Sequence, residues 1–250
     1  MTLRGFGLHP TLLSVVGQDP EGIDLIKAAG VLKLNTQFLY CSRDLPTDQY
    51  MAIEGSNGLI AAIADAHSLE AAGDKILLPL EDGRLGTPEE PFSGLIALDG
   101  NLTVTLLSQI ATSRLFSASD LRIAPASPGK AERLLPLLSH KGATLYVNVE
   151  EAGILCKQDF LDAQTASRSL VARGANRALV TDGPKAAALA DAERCVLATP
   201  PAVLASRVTG AGDTFMAAHI AAELRGLSGV AALQSASNAA AAYVSGKSEG

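Results

Sequence analysis

Near the C-terminus, Val208-Thr209-Gly210-Ala211-Gly212-Asp213 forms a bend of small side chains that runs straight into an apolar stretch. There Phe215, Ala218, Ile220, Ala221, Ala222 and Leu224 recur at near-helical spacing, so the bend sits at a helix N-terminus. Glycines let backbone approach a ligand closely, and the free N–H groups and positive dipole end of a helix favour an anion, most often a phosphate. A carboxylate at the mouth of such a site repels phosphate. Asp213 is therefore either a base acting beside a phosphate or a plain helix N-cap, a position where Asp is favoured. These six residues leave both readings open.

The elements that would position this bend alternate strand and helix, the mark of an α/β sheet. Strands are expected at 12–16, 94–98, 121–124, 144–147 and 177–181, with helices at 22–29, 104–111, 131–138 and 161–173 and a hairpin joining 186–189 to 195–197. Three short β-like runs at 36–40, 48–53 and 59–64, with a turn at 54–58, predict a small antiparallel flap, giving an α/β domain over 1–31 and 66–250 and a lid over 32–65. Polar residues collect just past the carboxyl ends of successive strands: Asn101, Asn148, Glu151, Thr181 and then the glycine bend. That edge is where open α/β sheets bind ligands. Each has a plain alternative, Asn101 and Asn148 as turn formers, Glu151 as a first-turn helix acid and Thr181 as a strand residue.

Composition narrows the function classes. The 250 residues are 48% hydrophobic, ample for a core, and 20 basic against 26 acidic residues give a net charge of −6 without a basic cluster, which argues against nucleic acid as a partner. Cys41, Cys156 and Cys195 are scattered and lack metal-ligand spacing, so a reduced, cytoplasmic setting is expected. The uncharged stretch from Gly226 to Gly246 is long enough to span a membrane, but its Ser, Gln and Asn residues and its alanines predict a helix packed inside a protein, and no signal peptide opens the chain.

Thr209-Gly210-Ala211-Gly212-Asp213-Thr214-Phe215 resembles the C-terminal signature of the ribokinase-like (PfkB) family of sugar and nucleoside kinases. Four further stretches agree in order: Leu13 to Gly22 with the early strand-Gly-Asp-Gly motif, Asn148-Val149-Glu150-Glu151 with Asn-x-x-Glu, Thr181-Asp182-Gly183 with the nucleotide loop, and Ser237 to Ala242 with the late helix over the nucleobase. The resemblance implies a mostly parallel central sheet flanked by helices on both faces, with a β lid. It also implies ATP-dependent phosphorylation of a primary hydroxyl on a nucleoside or sugar. Asp213 would be the base, and the N–H groups of Gly210, Ala211 and Gly212 the charge stabilisers. Thr181, Gly183, Thr209 and Asn238 would bind nucleotide, and Asn148 and Glu151 would hold Mg2+ through water.

Ala61-Ala62-Ile63-Ala64-Asp65, Asp99-Gly100-Asn101-Leu102 and Pro125 to Leu134 are most similar to pseudouridine kinases within the family, which implies Asp65 and Asn101 on the acceptor side. An exposed lid sheet would permit a homodimer. The chain departs from the family pattern at several points. Ala124 stands where pseudouridine kinases usually carry Asp, Lys185-Ala186 replaces the second glycine of the nucleotide loop, and no Gly-Gly-x-x-x-Asn segment precedes Leu13, so the family's first strand is expected to be missing. Arg207 replaces an acid or amide, either as positive charge beside phosphates or as half of a surface ion pair. A second function class is a non-catalytic nucleotide-binding or interaction protein. A dinucleotide-binding dehydrogenase or methyltransferase would rest on two glycines alone.

Overall fold

The computed structural model describes residues 1–55 and 58–246. A short helix α1 (Thr2–Gly5) precedes strand β1 (Val15–Gly17) and helix α2 (Pro20–Val31). Asp19 caps α2 by accepting from the Gly22 N–H at 2.8 Å, and Pro20 supplies a preset φ in the first turn. Asp19 also accepts from the N–H and the hydroxyl of Thr47, at 2.7 and 2.6 Å, while the Thr47 hydroxyl oxygen accepts from the Gly17 N–H. These bonds, first the Thr47 hydroxyl, hold the Asp19 carboxyl below its ordinary range. The Gly-x-Asp-x-x-Gly stretch is thus a structural knot.

Strand β2 (Tyr40–Ser42) lies parallel to β1, with Val16 opposite Cys41. This corrects the expectation that the first β-like run belongs to the antiparallel flap. The flap is the hairpin of β3 (Tyr50–Gly55) and β4 (Gly58–Ala64) alone, a two-stranded sheet of its own. Ser56 and Asn57, the centre of the expected turn, lie outside the described residues. Helix α3 (His67–Ala72) then leads through a 3-10 segment at Gly73–Leu80.

The main sheet begins with β5 (Leu95–Asp99), followed by α4 (Val104–Thr112) and β6 (Asp120–Ala124). Pro128–Leu137 winds as 3-10 helix where an α-helix is expected. Pro136 within it lacks an N–H and would clash with the carbonyl four residues back in an α-helix, so the tighter winding relieves the conflict. Then come β7 (Ala143–Asn148), α5 (Val149–Cys156), α6 (Ala163–Ala172), β8 (Arg177–Thr181), β9 (Ala187–Asp191), β10 (Cys195–Ala198), α7 (Ala211–Leu224) and α8 (Gly229–Val244). The sheet order is β10-β9-β8-β7-β6-β5, with β5 to β8 parallel and β9 and β10 antiparallel.

Alternate residues of the central strands feed two cores. Leu145, Val147, Ala178 and Val180 face α4, α5 and α6 together with Leu107, Ile110 and Leu170, whereas Tyr146, Leu179 and Leu189 face α7 and α8 with Phe215, Ile220 and Leu233. Fully burying each such leucine or isoleucine is worth about 2 kcal/mol. Among the described residues no helix is long and apolar enough to cross a membrane; α8 packs on α7 instead.

Candidate active site

The glycine bend ends in Gly210, the N-cap of α7, at φ 91° and ψ −1°. This left-handed conformation suits glycine, and a Cβ there would also lie 2.6 Å from the Tyr243 hydroxyl oxygen. Gly210 therefore occupies the cap position that sequence reasoning left open to Asp213. Asp213 is the third residue of α7, its side chain exposed and bonded by no described residue. The Thr214 hydroxyl turns back to the Gly210 carbonyl at 2.9 Å and is buried, pinning the first turn.

The backbone donors of the bend are not equivalent. The Ala211 N–H donates to the Val208 carbonyl at 3.0 Å, so it is engaged within the bend rather than free for an anion as expected. No described group accepts from the N–H of Gly210, Gly212 or Asp213. A Cβ on Gly212 would meet nothing within 4 Å, so the approach to that N–H is open. A bare carboxylate thus sits beside free donors at the positive end of a 14-residue helix.

Helix α7 is fastened to the sheet from below. Its half-buried Glu223 accepts from Arg122 on β6 and, at 2.8 Å, from Arg177 on β8, and Arg122 also pairs with Asp120. Burial opposes the Glu223 charge, but these bonds prevail and hold the carboxyl below its usual range. Arg122 donates to the Tyr146 hydroxyl at 2.9 Å, and that hydroxyl lies 2.9 Å from Nδ1 of His219, which is 0% exposed. Burial pushes the Tyr146 phenol up to about 12 and the His219 imidazole down to about 4. None of these residues stood out in the sequence, because the partners come from four elements.

At the ends of β7 and β8, Asn148 and Thr181 are direct register partners, so the parallel pairing puts both at one sheet edge. Asn148 caps α5 in a reciprocal box: its side chain accepts from the Glu151 N–H and the Glu151 carboxylate from the Asn148 N–H, both at 2.8 Å. Asn148 thus serves in the turn that opens α5 and Glu151 as an acid of its first turn. Glu151 is 8% exposed, and burial, only partly offset by the Asn148 bond, raises its carboxyl above the ordinary range. No described residue bonds its other oxygen. Among the described residues no three His, Cys, Asp or Glu side chains converge as a metal cage, so a cation here would be held mostly by water and substrate phosphates, as magnesium usually is.

Gly183, at φ 53°, follows Thr181 in an exposed turn where a Cβ would meet nothing, and Asp182 pairs with Lys185 at 3.0 Å. Asn238, on α8, is exposed, accepts from Gln234 at 2.9 Å and lines a hollow of about 350 Å³ with Gly5, Phe6, Ala218 and Arg225. No bond joins it to the bend. On the opposite flank, Asn101 accepts from the Lys130 ammonium at 2.6 Å and donates to Asp99 at 3.3 Å, and Arg133 donates to the Asn101 carbonyl at 3.2 Å. Lys130 lies within the Pro125 to Leu134 stretch, and its bond to Asn101 leaves no signal in sequence because the partners stand 29 residues apart. Asp65, exposed at the end of β4, accepts from the His67 N–H at 3.0 Å, a local turn with no bond to Asn101.

Residues 2–250 match the family described as pfkB family carbohydrate kinase. Similar solved structures include a carbohydrate kinase from Agrobacterium tumefaciens, 23% identical with a TM-score of 0.78 over 96% of this chain and 75% of that one. Ribokinase from Thermotoga maritima is 17% identical, with a TM-score of 0.76 over 98% and 77% of the two chains. Adenosine kinase from Trypanosoma brucei brucei, without ligand, is 14% identical, with a TM-score of 0.75 over 98% and 80%. No curated protein sequence matches.

Proposed function

Because the chain belongs to the pfkB family of carbohydrate kinases, which transfer phosphate from ATP to a hydroxyl, we propose that it phosphorylates a primary hydroxyl of a nucleoside or sugar, with pseudouridine as the preferred acceptor. The observation that carries this reading is the Asp213 carboxylate, unpaired among the described residues, in the same helical turn as the Gly210 and Gly212 N–H groups, which no described group accepts from. Asp213 takes the acceptor proton as that oxygen attacks the terminal phosphorus and the bond to the leaving ADP oxygen breaks. Gly210 and Gly212 donate to the transferring phosphoryl oxygens, a role in which each donor is typically worth about 3 kcal/mol. Ala211 closes the bend through its N–H bond to the Val208 carbonyl.

Thr181, Gly183 and Thr209 line the nucleotide groove in this reading, with Asn238 toward the base. Mg2+, when bound, neutralises phosphate charge as the groups transfer. Glu151 fits such an ion through water, since one carboxylate oxygen is committed to the cap and the other has no described partner. Asp65 and Asn101 belong to the acceptor side. The exposed Met51, Ile53 and Ile63, with Met51 and Ile63 paired across the hairpin, suit a homodimer through the lid. Unpaired Cys41, Cys156 and Cys195 suit the cytoplasm.

The test is ADP release from Mg-ATP with pseudouridine, ribose, fructose and adenosine as separate acceptors. Release dependent on pseudouridine supports the reading, and release with another acceptor alone reassigns the substrate. ATP binding without acceptor-dependent release would leave a nucleotide-binding protein that does not catalyse.

A further inference from the structure

Gly210 solves one problem and creates another. With no Cβ it reaches φ 91°, but the same freedom lets the Thr209–Gly210 peptide rotate, so something outside the bend must fix the direction of its N–H. We propose that Tyr243 is a positioning residue for phosphoryl transfer, holding that peptide so that the Gly210 N–H faces the side where a phosphoryl group would lie, with Arg207 clamping the phenol ring. This rests on the glycine bend being the transfer site.

Tyr243 lies in the last turn of α8, and its hydroxyl donates to the Thr209 carbonyl at 2.9 Å. In a trans peptide the C=O and N–H point in opposite directions, so anchoring the Thr209 oxygen on Tyr243 turns the Gly210 N–H away from α8. That N–H has no described acceptor, which is the state a donor awaiting an anion requires. The match is close: a Cβ on Gly210 would lie 2.6 Å from the same hydroxyl oxygen.

The phenol is itself held. The Arg207 guanidinium stacks 3.8 Å from the ring centroid, and its Nε donates to the Tyr243 carbonyl at 2.8 Å. The Ser206 N–H and hydroxyl both donate to the Val244 carbonyl, at 2.9 and 3.1 Å. No described acid pairs with Arg207. The surface ion pair left open by the sequence is therefore absent among the described residues, and the planar guanidinium is used for stacking, which lysine could not reproduce.

The experiment compares the full chain with Tyr243→Phe, which keeps the ring for Arg207 and removes only the hydroxyl. Expected are a kcat about tenfold lower, less than deletion of a whole donor because the N–H survives, with ATP KM within about twofold and an unchanged melting temperature. The Gly210 amide 1H–15N resonance of the nucleotide-free chain should move more than the amides of α7 beyond its first turn. Arg207→Lys should give the same kcat-only loss. An unmoved Gly210 resonance, or a Tyr243→Phe kcat within twofold of the parent, overturns the proposal. Asp213→Asn is measured in parallel. If it still turns over, the reading of the bend as the transfer site fails; if it is inactive while Tyr243→Phe is fully active, only the positioning role of Tyr243 falls.

Discussion

His219 and Tyr146 meet at 2.9 Å, ring nitrogen to phenol oxygen, on the face of the sheet where α7 crosses it. Arg122 donates to the same oxygen, and the Glu223 carboxylate lies 3.6 Å from the same ring nitrogen. Nε2 is buried without a partner among the described residues, a cost tolerated beneath the helix that carries the glycine bend.

This arrangement predicts acid sensitivity. The imidazole titrates near 6.5 in the unfolded chain and near 4 in the folded one. Between those values the unfolded chain binds the extra proton, so the stability from neutral His219 is full above pH 6.5 and is lost as pH falls through about 4. The loss is about 3 kcal/mol. Denaturant unfolding from pH 7 to 4 should show it, and His219→Asn, which keeps a hydrogen-bonding side chain beside Tyr146 but does not titrate, should flatten the slope in that window.

Asp213→Asn should reduce acceptor-dependent turnover by at least about a hundredfold, within the range for loss of a general base. The dissociation constant for ATP, read by calorimetry, should change less than threefold. The carboxylate has no described partner, so thermal stability should be unaffected.

Gly212→Ala separates the fold from the chemistry. The new methyl meets nothing within 4 Å, and alanine is the better helix former by about 1 kcal/mol, so the melting temperature should hold or rise. Turnover should fall about tenfold or more, since the methyl enters the space a phosphoryl group would occupy. An active, stabilised variant would show that no ligand approaches there.

Gly22→Ala should do the reverse and lower stability. Its methyl would collide with the Gly17 carbonyl oxygen and lie 2.8 Å from the Thr47 hydroxyl, breaking the Asp19 knot. About 3 kcal/mol is expected from urea unfolding.

Glu151→Gln distinguishes a helix cap from a cation holder. Glutamine can complete the same capping box, so stability should change by less than about 1 kcal/mol. The Mg2+ concentration for half-maximal activity should rise about tenfold, as when outer-shell carboxylates are lost elsewhere. An unchanged requirement would leave Glu151 as a cap only.

The amino-acid sequence by itself determined the features whose causes are local. Strand and helix alternation from 94 onward, the capping pair three residues apart at Asn148 and Glu151, and the glycine bend opening α7 all follow from side-chain period and bonds within a single turn. Thr181 beside Asn148 followed too, because parallel strands feed their carboxyl ends to one edge.

Tertiary structure decided what depends on distant partners. It gave the cap of α7 to Gly210, since a positive φ there is fixed by how α7 meets α8, and it left Asp213 bare. It paired β2 with β1 and took the Ala211 N–H into the bend. Tyr243 reaches Thr209 across 34 residues and Arg122 reaches Glu223 across 101. Neither bond leaves a periodic trace in sequence, because the chain that separates the partners constrains them only through the packed sheet and helices between.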